Sequence, residues 1–181
     1  METWMILAIG AIAVGALILV ATLVMSSKHQ RSAKQTTVLR EGFGPEYERA
    51  VEEKGRSGAE EDLLKRQQRA ELVQVRPLSP IEVSRYTENW TATQAQFVDN
   101  PGAALTAADR LLAEIIAARG YPAAEFEQGA SALSVDHPRA VQDYRAAHDI
   151  VLRNQRNPLP TDDLRDAMMK DEAVFHELVK S

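Results

Sequence analysis

Residues 79–122 read SPIEVSRYTENWTATQAQFVDNPGAALTAADRLLAEIIAARGYP, and two helices with their stops are legible in them. Ser79 offers a side-chain oxygen to a helix N-terminus, Pro80 is preset for the first helical position, and Glu82 stands where a capping box needs it. Val83, Tyr86, Trp90 and Phe97 follow at +3, +7 and +14 on one helical face. A stripe at that spacing predicts a helix turned toward a core. Asp99-Asn100-Pro101-Gly102 ends this helix and opens another, in which Leu105, Ala108, Leu112 and Ile116 recur, with Leu111 and Ile115 widening the face. Gly120, then Tyr121 and Pro122, close it in the glycine-before-proline order of a helix C-terminus.

The same punctuation extends outward. Toward the C-terminus the sequence predicts a short helix near 123–128 carrying Phe126. Ser134-Val135-Asp136-His137-Pro138 then reads as the start of the next helix, with Asp136 as its cap and Val141, Tyr144, His148 and Val151 facing inward. Asn157-Pro158-Leu159-Pro160 reads as a loop. Thr161, with Asp162 and Asp163 in the first turn, opens a last helix that turns Leu164, Met168, Phe175 and Leu178 inward. Toward the N-terminus, Pro77 breaks the helix that Ser57 and Glu60 start, whose Glu61/Lys65 and Asp62/Arg66 pairs have the favourable i, i+4 order. Pro45 opens a shorter helix, which Gly55 ends. No run alternates long enough for a strand and no repeat of fixed period occurs. The expected fold is all-α: a compact bundle of about six or seven short helices over residues 41–181.

The first 27 residues differ in kind. From Trp4 to Met25 no residue is charged. As a helix these 22 residues extend about 33 Å, against about 30 Å of hydrocarbon in a bilayer. The chain is therefore expected to hold a transmembrane anchor at 1–27, with residues 4–25 in the lipid bilayer, and a basic linker at 28–40. Lys28, Arg31, Lys34 and Arg40 precede the first acid after the span, Glu41, so the positive-inside rule leaves the domain in the cytoplasm. Ala11 and Gly15 form a small-xxx-small pair suited to close approach of another helix.

Composition excludes several classes. The 181 residues contain no cysteine, which removes disulfides, thiolate catalysis and cysteine-ligated metals. A net charge of −5 gives no basic face for nucleic acid. The four histidines stand in no metal-ligand spacing, and no P-loop, nucleophile elbow or dinucleotide fingerprint is present. No catalytic residue, cofactor or metal is therefore expected. The densest titratable group is Asp136, His137, Tyr144, Arg145 and His148, where a histidine oriented by a carboxylate is the pattern of a general base. A hydrolase built on Asp136, His137 and His148 is one alternative, and an envelope stress protein with an outward-facing domain is another. Phe43 and Tyr47, in an aromatic turn, are candidate interaction residues.

Four stretches, FGPEYERAVEEKG, RPLSPIEVSRYTENWTATQAQFVDNP, DRLLAEIIAARGYP and SVDHPRAVQDYRAAHDIVLRN, resemble together a family of small bacterial membrane-anchored helical proteins. The resemblance covers most of 41–178. It implies a bacterial source and a tethered helical domain, and brings no activity, cofactor or site residue. The expected function is an interaction or scaffold module with a protein partner or as a homo-oligomer.

Overall fold

The computed structural model describes residues 34–180, all-helical and without a strand among them. The chain divides at Glu41/Gly42 into two units. In the first, residues 34–41 are helical, whereas a basic linker was expected over 28–40. No described helix is long and apolar enough to cross a membrane. The expected span 4–25, with Ala11 and Gly15, lies outside the described residues.

The second unit carries six helices: α1 Pro45–Ala70, α2 Pro80–Asp99, α3 Pro101–Ala118, α4 Phe126–Asp136, α5 Ala140–Arg156 and α6 Thr161–Lys180. In a straight α1, Glu46 and Arg66 would be about 30 Å apart. Instead an Arg66 Nη1 lies 2.8 Å from a Glu46 Oε1, and the Tyr47 hydroxyl reaches Glu60 at 3.3 Å. α1 is thus a helical hairpin. Its turn is Gly55, with φ 69 and ψ 164, a conformation that residues with a Cβ avoid. The expected pairs Lys65–Glu61 and Arg66–Asp62 are both formed on the second limb.

α2 begins as its sequence requires. Ser79 Oγ accepts from the Glu82 N–H, and the Glu82 carboxylate accepts from the Ser79 N–H at 2.8 Å. Asn100 Oδ1 caps α3 by accepting from the Ala103 N–H at 3.1 Å. At the other end of α3, Gly120 has φ 93, and a Cβ there would lie 2.6 Å from the Gln74 carbonyl oxygen. Only glycine lets the α1–α2 connection lie this close, and the Arg76 N–H fastens it to the Arg119 carbonyl at 2.9 Å.

The next corner corrects the expectation. The helix foreseen near 123–128 runs from Phe126 to Asp136, and Ser134-Val135-Asp136 is its last turn rather than the start of α5. α5 follows Arg139 with no side-chain cap hydrogen bond, so Asp136 is not its cap. The physical reason is Pro138. It disfavours the helical region at His137, and this stops α4 at the place where the sequence also suggests a start.

α3 lies at the centre of the bundle, packed on α2 and α6 and touching α4 and α5, while α5 and α6 pair with each other. Its buried Leu105, Leu112, Ile115 and Ile116 are the stripe foreseen from sequence. Trp90 on α2 stacks on Phe175 of α6 at 4.8 Å and 14°, and Phe97 packs at the margin. α1 packs on α4 and α5. Its buried Tyr47, Ala50, Ala59 and Leu63 stand outside the apolar cluster that α2–α6 build.

Candidate functional site

Ion pairs take part in the attachment of α1. Glu46, fully buried, receives Arg49 at 2.9 and 2.7 Å, Arg66 at 2.8 Å and Arg145 of α5 at 3.4 Å. Arg66 turns the rest of its fork to Asp62, at 2.9 and 2.6 Å, and approaches Ser134 Oγ of α4 at 3.4 Å. Arg145 also pairs with Glu127 of α4. Burial by itself raises the Glu46 carboxyl, but the hydrogen bonds from Arg49 and Arg66 and the charge of Arg145 outweigh it and hold the pKa below its ordinary value. One carboxylate on the first limb therefore clasps the second limb, α4 and α5 together.

Beside this clasp, between the second limb of α1 and α4, runs a groove of about 440 Å³. That volume lies in the range of small-molecule and peptide sites. Arg66, Arg69, Ala70, Val73 and Val75 line one wall; Tyr121 and Pro122 close one end; Glu125, Gln128, Ala132 and Asp136 line the other wall. Residues 125, 128, 132 and 136 share one face of α4, about 16 Å long. Leu72, next to Val73 in sequence, is 84% exposed. Tyr121 donates to Asp136 at 2.8 Å, and its phenol is pushed up by burial and by that carboxylate. Arg69 and Glu125 form no ion pair among the described residues. The groove combines apolar side chains with two cations, Arg66 and Arg69, on one wall and three carboxylates, Glu125, Glu127 and Asp136, on the other.

The five-residue polar group expected from sequence does not converge. Asp136 accepts from Tyr121 at the groove. His137, at the α4–α5 corner, places Nδ1 3.0 Å from Glu177, and its Nε2 faces Arg119 at 3.4 Å. A guanidinium donates only, so the Nε2 facing it accepts and Nδ1 carries the proton. Tyr144 is buried against Phe126 at 4.7 Å. Arg145 belongs to the clasp. His148 pairs with Asp109 at 2.9 Å and stacks on Phe126 at 3.6 Å. Asp136, His137 and His148 thus lie in three separate settings, each with its own partner. Phe43 and Tyr47, candidates for receiving a partner, are both buried.

Three residues of consequence were not singled out from sequence. Glu46 is a first-turn acid like many others, and only the return of Arg66 across the hairpin reveals its burial. Arg69 is one of several cations on its helix. Asp171 did carry a signal, because it stands on the stripe Leu164, Met168, Phe175, Leu178 where an apolar residue belongs. No group of histidines and acids suited to a metal ion occurs among the described residues. No family model, no curated protein and no solved structure matches this chain.

Proposed function

We propose that this chain is a single-pass bacterial inner-membrane protein whose helical domain, held at the cytoplasmic face, docks a segment of a protein partner in the α1–α4 groove. The observation that carries the reading is the groove itself. Its apolar lining stands among charges of both signs, of which Arg69 and Glu125 form no ion pair among the described residues, and an apolar side chain, Leu72, next in sequence to the lining Val73, stands exposed. The uncharged run Trp4–Met25 and the cations behind it support the tether and its orientation. The dispersal of Asp136, His137 and His148 among separate partners favours docking over hydrolysis.

Photo-crosslinking in native membranes tests the reading. A photoreactive residue at Gln128 or at Leu72 is expected to capture protein, while one at Ile81, equally exposed on α2, captures none. Equal capture at all three positions, or none at the groove, overturns it. A second copy of this chain in the adduct would identify the partner as homo-oligomeric. A reporter active only in the periplasm, fused after Ser181, is expected to be silent; activity would place the domain outside and favour the envelope reading.

A further inference from the structure

We propose that the α1 hairpin is a strap, which lifts off α4 and α5 as a unit while α2–α6 remain folded, and that the Glu46 clasp sets how often it does so. Three observations carry this. The buried apolar side chains of α1 stand outside the apolar cluster of α2–α6, so the bundle core closes without the hairpin. Across the joint, the polar contacts include Arg145 and Ser134 on Glu46 and Arg66, and Glu127 near Arg49 at 3.8 Å. Buried ion pairs of this kind add little net stability over a packed apolar seam, yet losing one partner strands the others in low dielectric. The strap also has a fixed hinge. Immediately after α1 the chain is fastened to the end of α3 by the Arg76–Arg119 backbone bond and by the Gln74 carbonyl against Gly120, while the Arg76 fork holds Glu82 at 2.9 and 2.6 Å.

Lifting the strap turns one wall of the groove into open surface and uncovers the buried Ser134 of α4. Elements that open to admit partners belong to the low-stability end of a fold, and an element joined by a charged seam outside the main core fits that description. The hinge and the clasp do not depend on what occupies the groove, so the strap can open whether or not a partner docks there.

Hydrogen exchange on the full chain in detergent micelles tests it. In the parent, the most protected amides of α1 are expected to exchange faster than those of α3 and α6. Glu46→Gln, which removes the shared carboxylate, should accelerate exchange across Pro45–Ala70 by roughly a hundredfold while α2–α6 change little. Arg145→Gln cuts the clasp from the bundle side and should produce the same pattern, loosening α1 more than the helix that carries the substitution. The unchanged protection of α2–α6 is itself the control for folding. Acceleration shared equally by all six helices would show one cooperative unit and overturn the strap, as would unaltered protection of α1 in either variant.

Discussion

Asp171 occupies a position on α6 where the stripe around it is apolar, and it is fully buried with both carboxylate oxygens unpartnered. Burial, and then the nearby charge of Asp109, push its carboxyl up to about 8. Tyr144 is raised in turn by its own burial, by Asp109 and by Asp171. The sign of the pH dependence follows. An unfolded chain releases this proton near the ordinary 3.8, whereas the folded protein keeps it until about 8. Between those values the folded state binds the extra proton, so this residue's contribution to stability falls steadily as pH rises and levels off above 8. Asp171→Asn cannot ionise and resembles the protonated acid in shape. Its melting temperature should exceed the parent's by an amount that grows from about pH 5 to pH 8, reaching several degrees. A difference that does not vary with pH would show that Asp171 is charged in the folded protein, or reached by water.

At the scale of elements, the turn at Gly55 and the corner at Asp136 show what local sequence can and cannot carry. Gly55 was legible as a helix stop because it is followed by a second start at Ser57. That the two limbs then fold against each other depends on Glu46 meeting Arg66 across 20 residues, which no periodicity encodes. Two glycines separate space from backbone strain: a Cβ at Gly42 or at Gly55 meets nothing within 4 Å. Gly42 lies in a helix with ordinary φ, so Gly42→Ala should be neutral or stabilise by up to about 1 kcal/mol. Gly55 has φ +69, and Gly55→Ala should cost about 1–3 kcal/mol, seen as lost protection of α1. Equal effects from the two alanines would contradict the hairpin turn. At the corner, Asp–His–Pro is ambiguous in sequence because a proline both ends one helix and precedes the next. The structure gives Asp136 to Tyr121. Asp136→Asn keeps an acceptor for that hydroxyl and should melt like the parent. Asp136→Ala leaves the hydroxyl without its partner and should cost about 1 kcal/mol, with the helix content of α5 unchanged.

Over the whole molecule, the parts of the fold legible in sequence are those set by short-range period. The stripes Tyr86–Trp90–Phe97, Leu105–Ile116 and Leu164–Leu178 each predicted a buried face, and the structure brings these faces together around α3. The candidate site was not legible to the same degree. The groove walls are 50 or more residues apart in the chain, and the clasp joins side chains 20 and 99 residues apart. Such pairings are decided by how helices pack, not by any local pattern. This contrast leads to a prediction about cooperativity. Trp90 is 3% exposed, stacks on Phe175, and with Gln94–Glu172 at 2.8 Å ties α2 to α6 across the bundle. Removing a buried indole leaves a cavity that the neighbours fill only in part, at a cost of about 3–5 kcal/mol. Because α2–α6 share one apolar cluster, that loss should spread through all of them: Trp90→Ala should lower a single melting transition and accelerate exchange in α3, α5 and α6 alike. Acceleration confined to α2 would mean that the helices of the bundle are held independently, and the central position of α3 would then lose its energetic meaning.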